Sequence, residues 1–234
     1  MKNVAIIIPA FNEEKSLTAL LNEIDNLETP DFNLISLVVN DASTDNTLQI
    51  LESNNCNFLD LPVNLGIGGA VQSGLIWAYQ NDFDYAIQVD GDGQHPPSEI
   101  PILLEAISDL KSNVIIGSRF LNNEGFQSTA LRRFGITYLK YLNKLLTSKT
   151  IHDSTSGFRV FDKKAISLCA KNYPDEYPEP VSIIIFLKND LKIEEVAVKM
   201  KEREFGQTSI KSFKQLYYII KVSLAIFYNF IKSK

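Results

Sequence analysis

The chain has 234 residues, 45% hydrophobic and 22% charged, with a formal net charge of −5. That length suits one large domain or two small ones with a sizeable buried core, and the acidic balance argues against a general nucleic-acid binder. Cys56, Cys169 and the two histidines fall in no paired or zinc-ligand spacing, so a zinc module is excluded and a reducing, cytoplasmic setting is the default.

Val4-Ala-Ile-Ile-Ile8 reads as a buried strand stopped by Pro9, too short for a signal peptide. Leu17, Leu20, Leu21, Ile24 and Leu27 fall on one face of a helix spanning Glu13 to Leu27. Leu34 to Val39 is a second buried strand. It runs into the polar cluster Asn40 to Thr47, where Ser43 or Thr44 is a candidate N-cap for a helix through Leu51. Asn57 to Leu61 reads as a short third strand, and Asn64-Leu-Gly-Ile-Gly-Gly-Ala70 opens a helix to about Asn81. Tyr85 begins a fourth strand, a helix follows from Ser98 to Leu110, and Val114 to Ser118 is a fifth strand. Alternating β and α elements predict a doubly wound, mostly parallel sheet flanked by helices.

The second half is less regular. A helix over Thr129 to Leu146 precedes the polar loop Asp153 to Arg159, followed by a strand and a short helix through Cys169. A Pro-, Tyr- and acid-rich loop, Tyr173 to Pro180, leads to a helix from Val181 to Asp190 and an alternating strand from Glu194 to Met200. Arg203 to Ser209 reads as a loop, and an aromatic-rich helix closes the chain. No uninterrupted apolar run approaches the roughly 20 residues of a membrane span.

Three predicted strand ends carry the chemistry: Pro9 to Glu14, Asn40-Asp41, and Asp90-Gly-Asp-Gly-Gln94. Such ends gather at the carboxyl edge of an open α/β sheet, where ligands bind. Asp90, Asp92 and Gln94 offer hard oxygens suited to Mg²⁺ or Mn²⁺ held with substrate phosphates. An Asp-Gly turn accounts for the same residues without a ligand. An EF-hand does not fit, because positions 6 and 12 counted from Asp90 are His95 and Pro101. Pro9 and Phe11 can wall a flat ring, with Asp41 accepting from a base N–H. No Gly-Lys-Ser/Thr occurs, which excludes a P-loop, and Gly66-Ile-Gly-Gly69 lacks the third glycine of a dinucleotide fingerprint, so helix packing explains it better.

Six segments together resemble the family 2 glycosyltransferases in order and spacing. They are Ile6 to Glu14, Val38 to Thr47, Asn64 to Ala70, Val89 to Pro97, Ile116 to Phe120 and Ser156 to Arg159. The branch most resembled is that of the dolichyl-phosphate mannose synthases and bacterial polyprenyl-phosphate glycosyltransferases, over about residues 4 to 210. The resemblance implies a GT-A fold, a nucleotide-sugar donor, a polyprenyl-phosphate acceptor and inversion at the anomeric carbon. By position, it implies that Pro9, Phe11, Glu13 and Asp41 line the nucleoside pocket and that Asp90, Asp92 and Gln94 bind Mg²⁺ or Mn²⁺. It also implies that Arg119 and Arg132 or Arg133 hold the acceptor phosphate and that Arg203 closes over the donor phosphates. Asp90, Asp92 and Arg119 are the catalytic candidates. Asn40 stands where the family usually has Asp, and no membrane helices follow. Read alone, Arg119 and Arg132 are also explained as surface charges or ion pairs, and His95 and His152 as structural or supporting residues.

A phosphate monoester has a second pKa near ~6, so such an acceptor is already an anion and needs no general base. Transfer to a glycan hydroxyl in polysaccharide synthesis would instead need a carboxylate base, Asp153 or Glu179. Asp153 can equally tie down its own loop. A non-catalytic nucleotide-binding protein is the remaining alternative. These readings place a catalytic domain at 1–210 and an amphipathic helix at 211–234, packed on the domain, on a second subunit in a homodimer or on the membrane surface. Thirteen of sixteen residues from Leu216 to Ile231 are apolar, yet a helix of that length spans only about 24 Å, short of a hydrocarbon core. The expected location is cytoplasmic, peripheral at the inner face of the plasma membrane.

Overall fold

The computed structural model describes residues 1–54, 56–122, 130–202 and 212–232, with the side chains of 130–132 and 212–216 outside that description. The expected alternation is present. In chain order come β1 (Lys2–Ala10), α1 (Leu17–Asp25), β2 (Phe32–Asn40), α2 (Thr47–Ser53), β3 (Asn57–Asp60), α3 (Gly66–Gln80) and β4 (Tyr85–Gln88). A 3₁₀ turn (Pro97–Glu99) leads into α4 (Ile100–Asp109), then β5 (Val114–Ser118) and α5 (Ala130–Thr147). The chain continues with β6 (Arg159–Asp162), α6 (Lys163–Lys171), α7 (Pro178–Lys188), β7 (Ile193–Ala197) and α8 (Ser212–Ile231).

Among the described residues the strands form one seven-stranded sheet in the order β3-β2-β1-β4-β6-β5-β7. β1 pairs in parallel with β2 and β4, as do β2 with β3 and β5 with β7, while β6 runs antiparallel between β4 and β5. β1 is buried from Val4 to Ala10, which is why it reads as an unbroken apolar run rather than an alternating one. Its successive side chains feed two cores. Ala5 and Ile7 pack with Val71, Leu75 and Phe186 from α3 and α7, whereas Val4, Ile6 and Ile8 pack with residues of α1 and α4.

Gly74 lies so close to Ile7 that a Cβ there would overlap its side chain, and Gly68 sits equally tightly under the backbone of Pro174 and Asp175. Gly68 of the Gly66–Gly69 segment therefore lets the start of α3 pack on the α6–α7 connection, in line with the packing role read from sequence, and Gly74 further along lets the helix pack on the sheet.

Two boundaries differ from expectation for a common reason. α1 begins at Leu17, not Glu13, and the N-cap of α2 is Asn46, not Ser43 or Thr44. The polar residues in between join the β1–α1 and β2–α2 loops. Asn12, in the left-handed region at φ 60°, donates its N–H to Ser43 Oγ (3.0 Å) and accepts from the Thr44 N–H (2.7 Å). The Glu13 N–H donates to Thr47 Oγ1 (2.9 Å), and Glu14 accepts from Asn46. These cross-loop bonds outcompete an early helix start, as short polar side chains commonly do.

Candidate active site

Because β5 runs parallel to β4, the carboxyl ends of β1, β2, β4 and β5 share one edge of the sheet, and antiparallel β6 enters from that edge. The turn after β4 is built to reverse quickly: Gly93 holds φ 76°, and the Asp92 carboxylate accepts from the Gln94 N–H at 2.9 Å. A cavity of about 40 Å³ opens there, lined by Asp90, Gln94, His95, Arg119, Thr155 to Gly157 and Met200. That volume accommodates an ion and a water or two, not a nucleotide sugar. A larger cavity of about 280 Å³ at the opposite edge, around Met1, Phe32 and Asn33, lacks converging catalytic groups.

Asp90 is held from two sides. Gln88, fully buried, donates from Nε2 to Asp90 Oδ1 at 3.0 Å. His95, stacked on Phe158, accepts the Asp90 N–H at Nδ1 (3.0 Å), which leaves Nε2 as the protonated nitrogen of a neutral ring, 3.7 Å from Asp90 Oδ2. The carboxylate stays open on its other side, with a side chain 31% exposed. Gly157 matters here: a Cβ would meet Gln88 Nε2 at 2.6 Å and Asp90 Oδ1 at 3.4 Å. Asp92 is more enclosed, at 5% exposure.

Among the described residues no three His, Cys, Asp or Glu side chains cluster as a complete metal site. The donor set present still fits a hard divalent cation, because Mg²⁺ and Mn²⁺ are commonly held by one or two carboxylates and completed by phosphate and water. The space that Gly157 leaves open beside Asp90 keeps that carboxylate accessible.

Arg119, just beyond β5, is 7% exposed and grips the fully buried Asp153. Nε reaches Oδ2 at 2.7 Å and Nη2 reaches Oδ1 at 2.8 Å, a bidentate pair; Nη2 also donates to Thr155 Oγ1 and the Arg119 N–H to Asp153. Burial draws the guanidinium pKa down, but Asp153 outweighs it and Asp90 adds to the effect, so the pKa is raised. The 153–159 loop is fixed twice more. Glu195 on β7 accepts the N–H groups of His152 and Asp153. Arg159, fully buried, donates to the carbonyls of Ser154 and Ser156 and to Ser182 Oγ.

The remaining candidates divide. Pro9 is buried, Phe11 is 47% exposed at the end of β1, and Glu13 accepts from Ser16 Oγ. Asp41 is 3% exposed, and its two oxygens accept the N–H groups of Leu65 (2.7 Å) and Gly66 (2.9 Å) at the start of α3. Asn40 is tied to Asp60. Arg133 is exposed on α5 and does not line the cavity. The Arg132 side chain and Arg203 lie outside the described residues.

Sequence reasoning missed Gln88, Arg159 and Glu195. The signal for two of them was present: Gln88 and Arg159 are polar residues at the ends of apolar strands, where burial demands partners.

The model for glycosyl transferase family 2 matches residues 5–168, the span that contains the whole edge described above. The UDP-N-acetylglucosamine–dolichyl-phosphate N-acetylglucosaminyltransferase of Methanococcus voltae is 31% identical, with 100% of this chain and 96% of that protein aligned. The polyprenol monophosphomannose synthase of Mycolicibacterium smegmatis is 25% identical over 86% of this chain and 78% of its own. Among solved structures, Mycobacterium tuberculosis glucosyl-3-phosphoglycerate synthase in complex with Mn²⁺, UDP and phosphoglyceric acid superposes with a TM-score of 0.71 at 17% identity, covering 100% of this chain and 80% of that one. Staphylococcus aureus TarS 1-349 with UDP-GlcNAc gives 0.65 at 19%, covering 100% and 68%. The sheet order, the acidic turn at its carboxyl edge and these matches agree: the chain is a GT-A-fold glycosyltransferase using a nucleotide sugar, and it belongs to glycosyl transferase family 2.

Proposed function

We propose that this glycosyltransferase moves a sugar from a nucleoside-diphosphate sugar to a polyprenyl phosphate, with inversion. One observation carries the choice of acceptor. Asp153, a carboxylate beside the cavity that a hydroxyl acceptor would need as its base, is fully buried and bound bidentately by Arg119. With both oxygens taken by the guanidinium and no exposed surface, it is not presented to an acceptor hydroxyl. A phosphate monoester has no such requirement, since near neutral pH its oxygen is already largely deprotonated. Two relatives aligned over most of this chain bear names that specify dolichyl phosphate and polyprenol monophosphomannose.

In this reading Phe11 offers an exposed ring to the base, while Asp41 holds the first turn of α3 in place behind it. Mg²⁺ or Mn²⁺, held by Asp90 and Asp92 with the Gln94 amide alongside, would supply Lewis-acid neutralisation of the departing diphosphate. Gln88 and His95 fix the Asp90 carboxylate in direction. Arg119 lines the cavity with its guanidinium held in one orientation by Asp153, so it would meet an acceptor phosphate without reorganisation at the moment of transfer. The acceptor oxygen bonds to the anomeric carbon as the bond to the nucleoside diphosphate breaks, and the electron pair leaves with the diphosphate.

The test is partition of labelled sugar into organic solvent after incubation with polyprenyl phosphate and a panel of UDP- and GDP-sugars. Label extracted only with the phosphorylated lipid, and only with divalent cation present, is the expected result. Label recovered on a free polyprenol or glycan instead would reassign the acceptor, and Glu179 in the first turn of α7 would become the carboxylate to mutate.

A further inference from the structure

We infer that α5 and α8 together form a docking platform for an anionic lipid bilayer surface. The helices lie side by side: Tyr138 Oη is 3.0 Å from Ser223 Oγ, and Ile219 packs over Gly135. Their inner faces are settled, since Leu139, Val222 and Ile226 pack with Val181, Ile184 and Ile185 of α7. Their outer faces are exposed among the described residues. Phe134 is 68% exposed, Tyr141 63%, Leu145 81%, Leu224 63%, Phe227 52% and Ile231 63%. Eleven of the twenty large apolar side chains exposed among the described residues belong to these two helices. Scattered exposed apolar residues need no explanation, but a concentration of this kind marks an interaction surface.

Charge selects the occupant. The two helices carry six basic residues and no acidic one, in a chain whose formal net charge is −5. Lys140 and Lys144 lie beside the apolar stripe on α5, Lys232 follows the end of α8, and Lys221 reaches Glu176 at 3.2 Å. A second copy of the chain docked on the same surface would bring the described basic residues of the two helices, Arg133, Lys140, Lys144 and Lys221, near their own counterparts, which is unfavourable. A bilayer with anionic headgroups matches both features: apolar and aromatic side chains enter the acyl boundary while lysines meet phosphate. No helix among the described residues is long and apolar enough to cross a membrane, so the pair lies on the surface. The purpose of the platform rests on the lipid-phosphate reading above, because a polyprenyl phosphate stays in its bilayer and the enzyme must come to it. Binding itself does not depend on that reading.

The experiment is co-sedimentation of the full chain with phosphatidylcholine vesicles, with and without phosphatidylglycerol. Wild type should pellet with the anionic vesicles and be released by salt. The triple variant Leu145→Ser, Leu224→Ser, Phe227→Ser should lose about tenfold or more in partition at an unchanged melting temperature. Should that variant fold poorly, Lys140→Glu with Lys144→Glu gives the same loss through charge alone. A wild type that stays in the supernatant with anionic vesicles overturns the inference. So does unchanged pelleting of the variants, or a dimer in sedimentation velocity that the triple substitution dissolves. Transfer to a short-chain polyprenyl phosphate in detergent, equal in wild type and variant, reads the acceptor separately. Vesicle binding without any such transfer would sink the acceptor assignment and leave the platform standing.

Discussion

At the scale of single residues, the cavity is governed by groups that aim other groups. Gln88 donates to Asp90 through Nε2, while its Oε1 is buried with no hydrogen-bond partner among the described residues. Replacing it with methionine, of similar length and wholly apolar, removes that unmatched acceptor together with the donor. Stability should therefore hold within about 1 kcal/mol, whereas apparent Mn²⁺ affinity, read as cation-dependent UDP binding by calorimetry, should fall about 10–100-fold. Equal binding by the variant would mean that Asp90 needs no orienting partner. Arg119 calls for a different substitution. Its pairing with Asp153 means that an alanine leaves a buried carboxylate alone, and Asp153→Asn leaves a buried guanidinium alone. Either change should cost about 3–5 kcal/mol in chemical denaturation. Arg119→Lys keeps the charge and loses the fork, and the expected result is a raised acceptor KM with nucleotide affinity preserved. These pairings explain what the sequence hid. Asp90, Asp92 and Gln94 stand within five residues of one another and announce themselves, but Arg119 and Asp153 meet across 34 positions, and only the insertion of β6 between β4 and β5 brings them together.

Elements were more legible than their ends. Apolar runs at β1, β2 and β5 could only be buried strands, and the periodic helices α1, α3 and α4 could only lie on them, so their existence followed from composition and period. Where they stop was decided by long-range polar bonds, such as the clasp joining the first two β–α loops. That clasp has a pH signature. At Asp45 burial pushes the carboxyl up, but donors from Thr47 and the Glu14 N–H outweigh it, and the pKa lies below its ordinary value of 3.8. A depressed acid contributes stability that is full above its unfolded pKa and is lost as pH falls through the folded one. Asp45→Asn should accordingly melt below wild type at neutral pH, with the difference closing as pH drops beneath 3.8. A gap that widens in acid would show that the clasp does not depend on the charged form. In α5, Asn143 is fully buried with both amide atoms unpartnered among the described residues. Asn143→Leu should raise stability by about 1–3 kcal/mol in urea.

For the molecule as a whole, the open question in the sequence was whether the last helix belongs to the catalytic domain, to a second subunit or to a membrane. Amphipathicity could not decide, because all three partners are apolar. The geometry shows α8 with two working faces. Val222 and Ile226 are fully buried against α7 and α5, and Lys188 of α7 donates to the carbonyls of Asn229 and Phe230 at its far end; Leu224, two residues from each of the buried pair, is 63% exposed. We propose that α8 folds as part of the catalytic domain and not as an appendage to it. Ile226→Ala should then cost about 2–5 kcal/mol, the range for a buried aliphatic truncation that leaves a cavity, while Leu224→Ala stays within about 0.5 kcal/mol. Urea midpoints with an unchanged m-value measure both. If Ile226→Ala were as silent as Leu224→Ala, the helix would not be docked in solution and removing 212–234 would leave a stable domain. If it costs what burial predicts, that truncation strips the cover from Leu139, Val181 and Ile184. Any loss of lipid transfer in a truncated chain then reports unfolding of the α5–α7 layer, and the outward-facing substitutions alone can separate membrane docking from fold.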